Sequence, residues 1–146
     1  MIFLKVIEAI IEANLNRIGW NLGGTYFSPV GEVDYSAAIK KIKKARPQII
    51  LNALVGDSGV TFIQQLHRAK VLPNKSPTLS FALGESELMS LRGEAMSGHL
   101  VTRALLPSLA GKKGSALADS TFSRRFRSKY GTHRMVSDTM QSAYYS

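Results

Sequence analysis

The spacing of apolar residues at the start of the chain predicts an amphipathic helix followed by a short strand. Over residues 1–18 apolar side chains recur at three- and four-residue intervals, and Gly19 is the expected end of the helix. The apolar stripe consists of Phe3, Ile7, Ile10, Ile11 and Ile18. Residues 23–28 then lead into Pro29, a pattern that predicts a short strand leaving through a proline turn.

A second helix and a buried strand are predicted next. Residues 37–45 have helical spacing, with Asp34 or Ser36 as the expected cap and Arg46-Pro47 as the stop. Residues 47–55, PQIILNALV, form a nearly continuous apolar run. Such a run is typical of a strand that is covered on both faces in a parallel sheet.

The tetrapeptide Gly56-Asp57-Ser58-Gly59 spells the sequence that surrounds the nucleophilic serine of trypsin-like proteases. Its context favours a strand-to-helix turn, because a buried strand precedes it and residues 60–70 have helical spacing. Trypsin-like enzymes are all-β, and they carry a further glycine where this chain has Val60. We therefore expect no enzyme, and a serine hydrolase using Ser58 is the least favoured of the functions considered.

The second half of the chain continues the alternation of strands and helices. The expected elements are a loop over 73–77, a strand over 78–82, a short helix opening at 84–88, a strand over 99–105, a polar loop over 107–115 and helices over 117–129 and 137–145. The whole order, α-β-α-β-α-β-α-β-α-α, predicts an α/β fold. We expect a three-layer, Rossmann-like lobe built on a mostly parallel sheet.

Composition narrows the class of protein. The chain has 146 residues, of which 45% are apolar, enough for one globular domain with a core. It has no cysteine, which excludes disulfides, thiolate catalysis and cysteine zinc sites. Lys5, Glu8 and Glu12 interrupt the apolar opening, so it does not predict a signal peptide. No segment approaches the ~20 apolar residues of a membrane span.

A net charge of +9 raises the alternative of a basic nucleic-acid-binding domain. The positions of the charges favour a simpler interpretation, because they alternate with apolar residues as on the solvent side of a helix. The two clusters are Lys40, Lys41, Lys43 and Lys44, and Arg124, Arg125, Arg127 and Lys129. No zinc finger, ribonucleoprotein motif or helix-turn-helix accompanies them, so nucleic acid is not the expected partner.

Histidines and aromatic residues offer no strong site. His67, His99 and His133 are far apart and lack carboxylates at ligand spacing, so we expect no metal and no cofactor. Trp20 and the pair Tyr144-Tyr145 are candidate binding platforms, but packing or partner contact is the favoured interpretation.

Several segments together resemble a known family. In order and spacing, GEVDYSAAIKKIKKARPQIILNALVGDSGVTFIQQLHRA, SPTLSFALGESEL, SGHLVTRALLPSL, FSRRFRSKYG and VSDTMQSAYY are similar to type I periplasmic binding proteins. The nearest branch is the urea and short-chain amide binders, which includes the cytoplasmic amide sensor that regulates aliphatic amidase expression. The resemblance implies two α/β lobes that close on a ligand by a hinge. This chain corresponds to part of the second lobe, so residues 1–146 are expected to be a single partial lobe with the first lobe absent.

The resemblance places ligand contacts in loops at the carboxyl ends of the strands. The matching positions are Gly56, Asp57, Ser58, Ser80, Leu83, Gly84 and Glu85. Asp57 would accept hydrogen bonds from an amide or ammonium group, and Ser58 with turn amides would hold an oxygen. The alternatives are helix capping by Asp57 and Ser58, and an interaction of Glu85 with the helix dipole. Ala82 and Leu83 stand where amide-binding relatives have hydroxyl residues, which leaves the ligand class open.

The resemblance also implies partners. The expected ligand is urea, a short-chain amide or a branched-chain amino acid, and an ABC-transporter permease or a regulatory protein would contact the full-length parent. A transport parent would be periplasmic, whereas the chain as given, without a signal peptide, would be cytoplasmic. Loss of flanking strands would leave a sheet edge through which the chain self-associates. An open half-site should bind its ligand no better than millimolar.

Overall fold

The computed structural model describes residues 2–91, 93–102, 121–132, 134 and 136–146. The elements, in chain order, are α1 Ile2–Arg17, α2 Ser36–Ala45, β1 Ile50–Asn52, α3 Gly56–Arg68, β2 Thr78–Ser80, α4 Glu85–Ser90, α5 Gly93–Met96, β3 Leu100–Val101, α6 Thr121–Tyr130 and α7 Asp138–Tyr145. Within these ranges, no helix is long and apolar enough to cross a membrane.

The three strands form one parallel sheet in the order β1-β2-β3. Ile50 pairs with Thr78 and Asn52 with Ser80, so the carboxyl ends of β1 and β2 are level. Ser80 is in turn opposite Val101 of β3. The α/β fold class and the parallel sheet are therefore confirmed.

The core is centred on α3, which packs with α2, with Ile50 of β1 and with buried loop residues that include Leu83. Phe62, Ile63 and Leu66 fall on one stripe of α3 and are buried, as their helical spacing predicts. The ring of Tyr35 meets that of Phe62 edge to face at a centroid distance of 5.3 Å, which joins α2 to the same core. A hydrogen bond also joins α3 to the start of α2, since the side chain of Gln65 accepts from the Tyr35 amide at 2.9 Å.

The ends of the first two helices agree with the sequence prediction. The amide of Trp20 donates to the carbonyl of Leu15 at 2.9 Å around Gly19, whose φ is +76°, a geometry that ends α1. Arg46 has a left-handed φ of 48° and ends α2 before Pro47. At the start of α2, Asp34 accepts from the amide of Ser36, but the capping position itself is Tyr35.

The strand predicted over residues 23–28 is wrong. This segment is irregular, and its backbone pairs with no strand in the described part of the chain. Gly24 has a φ of +145°, which interrupts an extended conformation, and most of the segment is exposed. The β-forming residues Tyr26 and Phe27 therefore lack the neighbouring strand that would make a sheet favourable here.

Other differences concern length. β1 covers only residues 50–52 of the predicted 47–55, because the chain leaves the sheet at the loop after Asn52. The additional turn α5 was not predicted. Residues 103–105 of the predicted third strand, the polar loop 107–115 and the first four residues of the helix predicted over 117–129 lie outside the described residues. The last helix is confirmed, with Ser137 as its cap accepting from the amide of Met140.

The basic clusters lie on solvated helix faces, except for Arg127 of α6, which is half-buried and has its Nε in the interior. All four lysines of α2 are exposed, while the interleaved Ile39 is buried and Ile42 is partly buried. On α6, the ring of Phe122 packs against those of Phe126 and Tyr144 at centroid distances of 5.8 and 4.9 Å. The arrangement matches the solvated-face interpretation for the exposed members of both clusters, and Arg127 is the exception.

Candidate functional site

Two loops meet at the carboxyl edge of the sheet. The first runs from the end of β1 into α3 and carries Gly56, Asp57 and Ser58, and the second runs from the end of β2 into α4. Because β1 and β2 are adjacent, parallel and in register, both loops leave the same edge. In open α/β sheets this edge is where ligands bind.

The first turn of α3 presents backbone donors without a side-chain cap. The capping position is Val55, which makes no side-chain hydrogen bond to the helix. The amides of Gly56, Asp57 and Ser58 have no acceptor within the helix, because the first turn of any α-helix leaves such groups unpaired. Gly56 adopts a φ of +54°, a left-handed conformation that glycine tolerates best. Neither Asp57 nor Ser58 caps α3, so the capping alternative does not describe their role.

Side-chain hydrogen bonds hold the second loop in place. The amide of Gly84 donates to the carboxylate of Glu87 at 2.8 Å, and the hydroxyl of Ser86 donates to the same oxygen at 3.0 Å. Glu87 therefore supplies a hydrogen-bond acceptor for the backbone amide at the start of α4. Glu85, the predicted ligand contact, is half-buried in the same turn.

The two loops touch through Gly59 and Leu83. A Cβ atom added at Gly59 would lie 2.5 Å from Cδ2 of Leu83 and 3.0 Å from the carbonyl oxygen of Leu54. Only a residue without a side chain allows α3 to come this close to the second loop. Leu83 is fully buried, so it lies beneath the edge and supports α3.

A polar pair under the two loops was not predicted from the sequence. Asn52 is 3% exposed, and its Nδ2 donates to Oγ of Ser80 at 3.0 Å. Ser80 is fully buried, so the predicted contact residue lies inside the sheet edge rather than at its surface. The signal that could have found Asn52 is a polar residue inside the apolar run 47–55.

The exposed part of the edge combines polar and apolar groups. Asp57 is exposed and supplies a carboxylate next to the unpaired amides of α3. Val55 and Phe81, one on each loop, are 57% and 38% exposed. A small molecule with an N–H donor, a carbonyl or carboxylate oxygen and a short apolar group would meet matching chemistry here.

The described histidines belong to the opposite edge. His99 precedes β3, and its Nδ1 accepts from the amide of Thr78 at 3.0 Å and lies 2.8 Å from the Thr78 hydroxyl. Burial lowers the pKa of His99, and electrostatic repulsion from His67 acts in the same direction. His67 is nine residues from Ser58 along α3, or about 14 Å at the helical rise. Neither described histidine is therefore placed to activate Ser58.

Other surface features do not compete with this edge. Among the described residues no group of three histidine or carboxylate side chains could hold a metal ion. His133 lies outside the described residues. A groove of about 510 Å³ between α2 and α3 is lined by residues of those helices and by none from the two loops. Trp20 is exposed, whereas Tyr144 contacts Phe122, which fits the packing interpretation for that tyrosine.

Comparison with known proteins agrees with this architecture. A family model described as a periplasmic binding protein domain matches residues 1–146. A search of curated proteins gives no match. The family match supports a general role in binding a small solute, while the urea and amide branch stays a prediction. With the whole sequence matched and the parallel sheet present, the chain belongs to the periplasmic binding protein family.

Proposed function

We propose that this chain supplies one ligand-binding lobe for urea, a short-chain amide or a branched-chain amino acid, in ABC-type uptake or amide sensing. The single observation that carries the proposal is the uncapped first turn of α3 beside the exposed carboxylate of Asp57. Both stand at the sheet edge where α/β folds bind ligands. Family members typically bind solutes without catalysis, which agrees with the absence of a described histidine near Ser58.

Each predicted residue has a distinct role in the proposal. The amides of Gly56, Asp57 and Ser58 donate to a ligand oxygen, and the Asp57 carboxylate accepts from a ligand N–H. Glu85 accepts a second N–H from the other loop. The remaining predicted residues support the site from beneath, since Ser80 and Leu83 are fully buried and Gly84 is bonded to Glu87.

The three ligand classes share one pattern. Urea and acetamide offer N–H donors and a carbonyl oxygen, and leucine offers an ammonium group, a carboxylate and an apolar side chain. The side chain of leucine would contact the exposed apolar groups of Val55 and Phe81, whereas urea has no apolar group to contact them. The order of affinities among the three probes would therefore identify the class.

The affinity of this lobe by itself should be millimolar or weaker. Asp57 is exposed, so water competes for each hydrogen bond that a ligand makes with it. Binding at this strength corresponds to about 4 kcal/mol at a Kd of 1 mM. The proposal includes a second lobe, facing this edge, that would exclude the water and raise the affinity.

Substitution of Asp57 tests the assignment. In titrations of the chain with acetamide, urea and leucine, followed by NMR, Asp57→Asn should weaken binding of the ligand that donates to the carboxylate. The matched control is Glu12→Gln, which removes an exposed carboxylate of α1 outside the two loops. Equal binding by wild type and Asp57→Asn would contradict the assigned role.

A further inference from the structure

Asn52 makes contacts on three sides at the carboxyl end of β1. Its Oδ1 accepts from the amide of Leu54 at 3.0 Å, and its Nδ2 donates to the hydroxyl of Ser80 at 3.0 Å. Its backbone carbonyl accepts from the amide of Phe81 at 2.9 Å. The Leu54 amide can only be a donor, which fixes the side-chain orientation with the oxygen toward Leu54 and the nitrogen toward Ser80.

These contacts join both loops to one side chain. Leu54 belongs to the loop that leads into α3, and Ser80 is the last residue of β2, immediately before the second loop. Ser80 also bonds the third strand, because its carbonyl accepts from the amide of Thr102 at 2.9 Å. A shift of β2 at Ser80 is therefore transmitted to Leu54 through a single planar amide.

Because this pair of side chains is buried, losing one of its hydrogen bonds is costly. Asn52 is 3% exposed and Ser80 is fully buried, so water does not replace a lost partner at low cost. The contact between Gly59 and Leu83 also joins the loops, but apolar contact is non-directional and does not by itself set the orientation of the loop amides. The direction of the first loop is set by the hydrogen bond from Leu54.

We propose that Asn52 is a positioning residue that couples the two ligand-binding loops, so that ligand affinity at the α3 turn depends on the Asn52–Ser80 hydrogen bond. This inference rests on the proposed function for the site, and it adds a residue that does not itself touch ligand. Asn52 orients the Leu54–Gly56 segment, and hence the amides of the first turn of α3.

The test combines binding with hydrogen exchange. The variants are Asn52→Leu, which removes both side-chain hydrogen bonds while keeping the branched shape of the side chain, and Ser80→Ala, which removes only the bond across the strands. The control is Ser76→Ala, which removes a buried hydrogen bond of 2.6 Å to the carbonyl of Pro47 at the opposite edge. All are compared under conditions where each chain is folded, as judged by circular dichroism.

In the binding arm, acetamide is titrated into each protein and followed by NMR. Asn52→Leu should weaken binding about fivefold or more, which corresponds to about 1 kcal/mol because a tenfold change is 1.4 kcal/mol. Ser80→Ala should weaken it in the same direction, and the double variant should be no weaker than Asn52→Leu alone. Ser76→Ala should bind as wild type does.

The second arm needs no ligand. Exchange of the Leu54 amide should accelerate in Ser80→Ala relative to Ser76→Ala, because Asn52 loses the anchor that holds its oxygen toward Leu54. An unchanged Leu54 exchange rate in Ser80→Ala would overturn the coupling, as would wild-type acetamide affinity in Asn52→Leu. If wild type binds none of acetamide, urea and leucine, the proposed function fails, and the Leu54 exchange rate still decides the coupling.

Discussion

Replacing Gly59 with alanine probes the contact that brings the two loops together. The new Cβ would lie 2.5 Å from Cδ2 and 3.3 Å from Cγ of Leu83, and 3.0 Å from the carbonyl oxygen of Leu54. Carbon atoms in favourable contact are about 3.5–4.0 Å apart, so Leu83 must move by about 1 Å. Leu83 is fully buried, so this movement disturbs the packing of the core around it.

Two effects of opposite sign determine the change in the free energy of unfolding. Overpacking a buried contact costs roughly 1–3 kcal/mol. Alanine is favoured over glycine inside a helix by about 1 kcal/mol. Gly59→Ala should therefore destabilise the fold by about 1 kcal/mol, which corresponds to a fall in Tm of about 3 °C for a chain of this size.

A double-mutant cycle with Leu83→Ala isolates the contact. Leu83→Ala alone should cost about 2–5 kcal/mol, and in its background Gly59→Ala should become neutral or stabilising because the clashing methyl is gone. The assay is urea unfolding followed by circular dichroism, with Leu83→Val replacing Leu83→Ala if the latter does not fold. Gly93→Ala, whose Cβ would meet nothing within 4 Å, is the control and should not destabilise the fold. If Gly59→Ala instead raises the free energy of unfolding by the about 1 kcal/mol that helix propensity alone provides, the two loops do not approach each other as closely as described.

Three further outcomes are expected. Because the pKa of His99 is lowered in the fold, the unfolded chain binds more protons below about pH 6.5, so urea midpoints should fall as pH decreases through that range. His99→Asn retains an acceptor for Thr78 and should flatten this dependence, and an unchanged slope would contradict the assignment. Gly56→Ala should destabilise the fold by about 1 kcal/mol in thermal unfolding because φ is +54°, and no loss would show that the turn relaxes. Purified chain should not hydrolyse an ester substrate, and turnover abolished by Ser58→Ala would refute this.

The sequence predicted the parts of the fold that depend on local pattern. The stripe of Phe62, Ile63 and Leu66 is visible in the spacing, and the apolar run before Gly56 indicates a strand that enters α3. The segment 23–28 shows the limit of this reasoning. Its residues favour a strand, but a strand requires a neighbour to pair with, and pairing is a property of the tertiary structure.

The sequence predicted which loops carry the candidate site, but it did not predict how the side chains are arranged within it. The resemblance placed Asp57 on an edge loop, and the structure exposes its carboxylate there. It also placed Ser80 in contact with ligand, whereas the structure buries that hydroxyl against Asn52. The 28-residue separation of these two polar side chains hides their contact, because only the parallel register of β1 and β2 brings them together.

The central claim is that a small solute binds at the two loops on the carboxyl edge of the sheet. The most direct measurement is a ¹⁵N NMR titration of the chain with acetamide, urea and leucine, which reports every backbone amide separately. We expect one of these probes, at millimolar concentrations, to shift the amides of residues 56–58 and 84–85 most strongly, with little change at α1 or near His99. Shifts centred on another surface, or none with any of the three probes, would contradict the claim.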